Sequence, residues 1–189
     1  MQRTYRWLLI GIACVGLTSD LVSKYGVFRW LYNDGYGGEY NLIPGVFKIL
    51  AQFDAQAPPC DCVFATWSGP TMPRVNHGAL FGLGGEHTGL ANKFFAVISV
   101  IAAIAILVWG MRRSTAIDAY LSVALGPILG GTIGNLYDRI VFGGVRDFLY
   151  FYYIEWPVFN IADCCLVVGA ALLLIQAIFS PTTPKSNAA

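Results

Sequence analysis

Charged side chains are scarce: Asp, Glu, Lys and Arg make up 12% of the 189 residues, where an ordinary soluble domain carries about a quarter. A water-facing surface of normal extent cannot be built from so few. The twelve basic and eleven acidic residues nearly cancel to a formal net charge of +1, and no basic run occurs, which argues against nucleic acid as a partner. Histidine is limited to two positions and cysteine to five. Cys60, Cys62, His77 and His87 fit no familiar zinc spacing, so neither a metal nor a cofactor is expected. A bond between Cys60 and Cys62, with only Asp61 between them, would be strained; Cys14, Cys164 and Cys165 fall in apolar runs and read as packing residues. The internal repeat common among transporters is absent as well.

What fills the chain is apolar: 56% of residues are hydrophobic and the mean hydropathy is +0.59. That composition is an integral membrane protein's. Four runs approach the roughly 20 residues that a bilayer-crossing helix needs, at about 7–28, 94–110, 120–138 and 158–179. Arg3 and Arg6 ahead of the first run imitate a signal peptide, but apolar character continues through Trp30 and Leu31, so the helix reads as retained. Between the first two runs the composition turns to Gly, Pro, Asn and charge. Segments 45–50 and 62–67 alternate like strands, while Pro58-Pro59, Ser68-Gly69-Pro70 and Met72-Pro73 read as turns. The expected fold is all-α and polytopic: four transmembrane helices, a small extracytoplasmic β-sheet, and a short outer helix or loop, in one unit spanning 1–189. Arg112 and Arg113 close the second run and Lys185 follows the last, so both termini and the 112–118 loop are expected in the cytoplasm. Residues 30–92 and 140–157 then lie outside.

Against this background the polar groups of the 130–163 stretch stand out, because ionisable residues at membrane depth are functional suspects. Gly126, Gly130 and Gly134 recur at intervals of four and suit close helix packing. Asn135, Asp138 and Arg139 follow on one face, with Asp138 expected to neutralise Arg139. Asp20 and Lys24, four apart, share a face of the first helix. Asn160 reads as a helix cap or a site residue. Asp163 faces an otherwise apolar helix, where an unpartnered carboxylate would be protonated or costly. Together with Asp147 it forms a candidate dyad. Two close carboxyls share one proton, so one acts as base and the other as acid, and water can be turned against an amide without metal or covalent intermediate. A proton relay through Asp20, Lys24, Asp138, Arg139, Asp147 and Asp163, or a noncatalytic scaffold, would use the same residue types.

Four blocks add a resemblance: Asp20-Leu21-Val22-Ser23-Lys24; Asn76-His77-Gly78-Ala79-Leu80-Phe81; the segment 130–139 with Gly144-Val145-Arg146-Asp147-Phe148; and Phe159-Asn160-Ile161-Ala162-Asp163. In this order they resemble lipoprotein signal peptidases, the type II signal peptidases of bacteria and aspartyl peptidases of family A8. The resemblance implies Asp147 and Asp163 as the catalytic pair. It implies that Asp20, Lys24, Asn76, Gly78, Asn135, Arg139 and Asn160 bind substrate or support the pair, with Asp138, Gly130 and Gly134 structural. It further implies an inner-membrane enzyme with its site at the outer face. Its substrates would be diacylglyceryl-modified prolipoproteins cut before the modified cysteine, its other partners membrane lipids and globomycin-type inhibitors. Residues 46–74 are longer than the family pattern leads one to expect.

Overall fold

The computed structural model describes residues 3–56, 71–78 and 88–179. Cys60, Cys62, His87, the expected 62–67 strand, and the turns at Pro58-Pro59 and 68–70 lie outside them. Four long helices carry the architecture: α1 (Arg6–Trp30), α2 (Thr88–Met111), α4 (Ala119–Val141) and α5 (Ile161–Phe179), with a single turn, α3 (Arg113–Ala116), between α2 and α4. All four are long and apolar enough to cross a membrane. The chain is a multi-pass membrane protein. Residues 88–92, expected among the extramembrane loops, already belong to α2.

α4 is the central helix, packed against α1, α2 and α5. It can be central because its surface is stripped of side chains where its neighbours approach. A Cβ on Gly130 would stand 2.5 Å from the Ala13 carbonyl and 3.1 Å from the Leu17 amide of α1. On Gly134 it would strike the Asp20 carboxylate. In lipid, where helices gain nothing by hiding apolar surface from water, this closeness is the source of cohesion. Leu9, Ala13, Leu125 and Leu129 form the buried apolar half of the bundle. Exposed Ile101, Ile104, Val167 and Leu174 on α2 and α5 face the lipid.

One end of the bundle is held by polar backbone chemistry. Asp118 caps α4 by accepting the Leu121 amide at 3.0 Å and is reached by Gln176 of α5 at 2.9 Å. The Tyr5 amide donates to the Ala116 carbonyl at 2.6 Å.

The other end carries the sheet. Strands β1 (Gly38–Ile43), β2 (Phe47–Ala51) and β5 (Leu149–Tyr150) form an antiparallel sheet in the order β1-β2-β5. A second pair joins β3 (Phe53–Asp54) to β4 (Met72–Pro73). Met72-Pro73, expected as a turn, is therefore strand. Proline is tolerated there because the pairing is a short edge, and the following Arg74 amide continues it by donating to the Gln52 carbonyl at 2.8 Å. Of the forms expected for 140–157, the chain takes loop and strand. The β5 strand ties α4's end to α5's start: Leu149 pairs with Lys48's neighbour Ile49 on one side and bridges Phe159 on the other. Phe28, Ala51 and Phe148 form the small core that seats the sheet on α1.

Candidate active site

Three polar layers meet where the sheet sits on the bundle. The deepest is ionic. Lys24 Nζ lies 2.8 Å from Asp20 and 3.3 Å from Asp138, all three fully buried. Asp138 is simultaneously grasped by Arg146, whose Nη2 stands 2.7 Å from Oδ1 and whose backbone amide donates to Oδ2 at 2.9 Å. Arg146 is itself fully buried, its guanidinium held between the rings of Tyr25 and Phe142 at 4.2 and 4.0 Å. The expected partnership of Asp138 with Arg139 is thus corrected: Asp138 pairs with Arg146 and Lys24. The cause is the loop turned at Gly143 (φ +72°), which folds Arg146 back over the last turn of α4. Arg146 was the residue the sequence left without a role, since a pair eight positions apart across a loop has no periodic signature.

The middle layer is made of amides. Asn135 Oδ1 accepts from Lys24 Nζ at 3.2 Å and from Asn160 Nδ2 at 3.2 Å. Its Nδ2 is left to donate to Asp163 Oδ1 at 2.9 Å. Asn160 and Asp163 exchange bonds around the first turn of α5: the Asp163 amide donates to Asn160 Oδ1 at 3.0 Å and the Asn160 amide to Asp163 Oδ2 at 3.1 Å. This is a reciprocal capping box. It satisfies the orphan amides of the helix start and orients the Asp163 carboxylate in the same stroke. Asp20 serves the same helix end, accepting the Ala162 amide at 2.9 Å.

The outer layer carries Asp147. Asn160 Nδ2 donates to its Oδ1 at 2.6 Å and Asn76 Nδ2 to its Oδ2 at 3.0 Å. Asn76 is aimed there because its backbone pairs with Val145, two residues before Asp147, through bonds of 2.7 and 2.9 Å. Gly78 holds the Asn76 side chain by donating its amide to Oδ1 at 2.9 Å. It turns at φ +83°, and a Cβ there would collide with the Phe95 ring, so only glycine fits. His77 Nδ1 bonds the Gly143 carbonyl at 2.8 Å, fastening the same segment to the 143–147 loop.

The twelve residues singled out from the sequence converge as follows. Asp147, Asp163, Asn160, Asn135 and Asn76 form one hydrogen-bonded cluster; Asp20, Lys24 and Asp138 form the ion network beneath it. Gly78 orients Asn76, while Gly130 and Gly134 let α1 approach. Among the described residues no carboxylate pairs with Arg139 at bonding distance; its Nη1 donates to the Asn135 carbonyl at 3.2 Å, and the charges it faces most strongly are Asp163, then Asp147.

Asp20, Asp138, Asp147 and Asp163 are opposed by Lys24, Arg139 and Arg146, one cation too few. Burial pushes the Asp147 carboxyl up to about 6; the amides of Asn76 and Asn160 pull it back, the Asp163 charge adds to the rise, and Lys24 opposes it. Between Arg6 and Asp20 in α1, between Asp118 and Asp138 in α4, and after Asp163 in α5 there is no charged side chain within the helices. No group of three or more His, Cys, Asp and Glu suited to a metal occurs among the described residues.

Known proteins resemble this chain in sequence and in fold. The family described as signal peptidase (SPase) II matches residues 71–179. A lipoprotein signal peptidase of Rhodopirellula baltica is 38% identical over 195 residues, covering 96% of this chain and 76% of that protein. One of Pseudoalteromonas translucida is 41% identical over 116 residues, covering 60% of this chain and 69% of its own length. Two solved structures of bacterial membrane enzymes, both obtained by the in meso method, share the fold. One superposes with a TM-score of 0.71 at 23% identity, covering 100% of this chain and 99% of that one. The other gives 0.70 at 24% identity, covering 96% and 99%.

Proposed function

The chain belongs to the signal peptidase II family, and we propose that it is an aspartyl endopeptidase that removes the signal peptide from diacylglyceryl-modified prolipoproteins, cutting before the lipid-modified cysteine. Asp147 and Asp163 are its catalytic pair. The observation that carries this reading is that Asn160 holds both carboxylates, Asp147 by its side-chain amide at 2.6 Å and Asp163 by its backbone amide at 3.1 Å. No structural task requires a helix cap to reach a second acid on a loop.

The reaction follows from one shared proton. A water held between the pair gives a proton to the ionised carboxylate while its oxygen attacks the amide carbon before the cysteine. The tetrahedral intermediate collapses as the protonated carboxyl delivers its proton to the leaving nitrogen. The signal peptide departs with a new carboxylate and the lipidated cysteine with a free amine; the pair again holds one proton. Arg139, facing both aspartates, offsets the negative charge of the intermediate. Asn76, Asn135 and Asn160 fix the carboxylates; Lys24 and Asp20 anchor Asn135 and the start of α5; Asp138, Gly130 and Gly134 hold the scaffold.

The site belongs at the outer face of the bacterial inner membrane. Arg112 and Arg113 lie at the bundle end opposite the sheet and mark the cytoplasmic side together with both termini. The substrate's acyl chains and signal helix remain in lipid, so remote binding energy positions the scissile amide. The whole chain, 1–189, acts as one peptidase unit. The reading is tested with purified protein in liposomes: it cuts a diacylglyceryl-modified prolipoprotein and spares the unmodified precursor, and globomycin blocks the cut. Equal cutting of both precursors would overturn it.

A further inference from the structure

A cleft of about 430 Å³ opens beside Asp147 and is lined in part by Leu50 of the sheet and the 74–78 segment. Its walls include Asn76 and His77 near Asp147 and Gln52 and Arg74 towards the outside. Arg74 is exposed, and its guanidinium donates to a neutral partner, Gln52 Oε1, at 3.2 Å. Among the described residues no carboxylate pairs with it. The other extramembrane cation of the sheet is different: Lys48 is matched by Glu39 at 2.6 Å. The cleft thus presents an unneutralised cation along a path that begins at the catalytic pair.

Geometry sets which part of a substrate meets it. The segment from Met72 to Asn76 pairs first with β3 and then with Val145. In extended backbone residues two apart point the same way, so Arg74 and Asn76 share a side, roughly 7 Å apart along the chain. Asn76 addresses Asp147. A peptide lying extended past Asp147 therefore brings a side chain about two or three residues from the scissile bond under Arg74. That side chain belongs to the released lipoprotein. The signal helix and acyl chains must turn towards the bilayer, whereas this wall is built from strands on the extramembrane end. His77 donates its Nδ1 hydrogen to a carbonyl, which leaves Nε2 of the neutral ring as an acceptor for a substrate amide in the same cleft.

Resting on the peptidase reading, we propose that Arg74 is a specificity residue that favours prolipoproteins carrying Asp or Glu at the second or third position of the mature chain, counting the lipidated cysteine as the first. The experiment compares two diacylglyceryl-modified prolipoproteins, identical except for Glu or Lys at those positions, with the full-length protein in liposomes. The parent enzyme favours the Glu substrate in kcat/KM by about three- to tenfold, mostly through KM, and the ratio shrinks at high salt. Arg74→Lys keeps the preference, Arg74→Gln brings it to about one, and Arg74→Glu inverts it. Equal cutting of both substrates by the parent, or a salt-insensitive preference, overturns the inference and leaves the peptidase reading intact. So does a preference that survives Arg74→Glu. If the parent cuts neither substrate, the peptidase reading falls and this inference with it.

Discussion

Asn160 donates its side-chain amide to Asp147 across 2.6 Å, and the same residue closes the capping box that orients Asp163. A cap that is also a bridge must fail in two ways when altered. Asn160→Ala leaves the start of α5 uncapped, which costs about 1 kcal/mol. It also frees both carboxylates, and kcat drops by about 100-fold or more while KM moves little. Asn160→Ser tests the division, since serine caps the helix yet cannot reach Asp147: thermal stability in detergent returns and kcat does not.

The raised Asp147 carboxyl gives the reaction a pH signature. Its proton is lost near pH 6 instead of in the usual carboxylate range, so the alkaline limb of kcat/KM in the free enzyme lies near 6. Bound lipid and peptide exclude more water, so the corresponding limb of kcat lies at higher pH. The linkage to stability has the same sign. A carboxyl raised in the folded state favours folding at low pH, and its contribution is lost as pH rises from about 4 to about 6. Asp147→Asn removes that slope, which melting curves across this interval would detect.

Asp138 is predicted to matter for folding and not for chemistry. Asp138→Asn leaves Arg146 and Lys24 buried with too little negative charge, at a cost of about 3–5 kcal/mol. Replacing Arg146 by Met in the same chain relieves part of that loss, because the unpaired cation is gone. Unfolding of the single and double variants in detergent checks this: the double variant is more stable than Asp138→Asn alone.

Helix approach at Gly130 is equally specific. Gly130→Val pushes a side chain into the Ala13 carbonyl of α1, where no flexible neighbour can yield. The expected loss is about 2 kcal/mol or more. Because α1 carries Asp20 and Lys24, activity falls together with stability. A substitution at Gly11, which has nothing within 4 Å, changes neither.

The parts legible in the sequence are those with a local signature. Four spans follow from runs of apolar residues, the α1 approach from glycines at intervals of four, and the Asp20–Lys24 pair from helix spacing. Asp163 is visible because a carboxylate in an apolar helix is costly, and Asp147 with it through the resemblance of the blocks that carry them. What stayed hidden depends on loops. Arg146 reaches Asp138 only because the chain turns at Gly143, and Met72-Pro73 becomes a strand only because β3 offers it an edge. Arg139 does not pair with its sequence neighbour Asp138, because a carboxylate at the adjacent helical position points elsewhere around the helix. Tertiary proximity, not adjacency, chose the ion pairs.

Asp147 and Asp163 are proposed to perform the hydrolysis together. Single-turnover cleavage of a diacylglyceryl-modified prolipoprotein by the parent, Asp147→Asn and Asp163→Asn proteins, each shown to be inserted and folded, measures it directly. Each variant is expected to lose at least about 1000-fold in rate while still binding the substrate, and the doubly substituted protein is expected to be no slower than either. Cleavage by either single variant at the parental rate would contradict it.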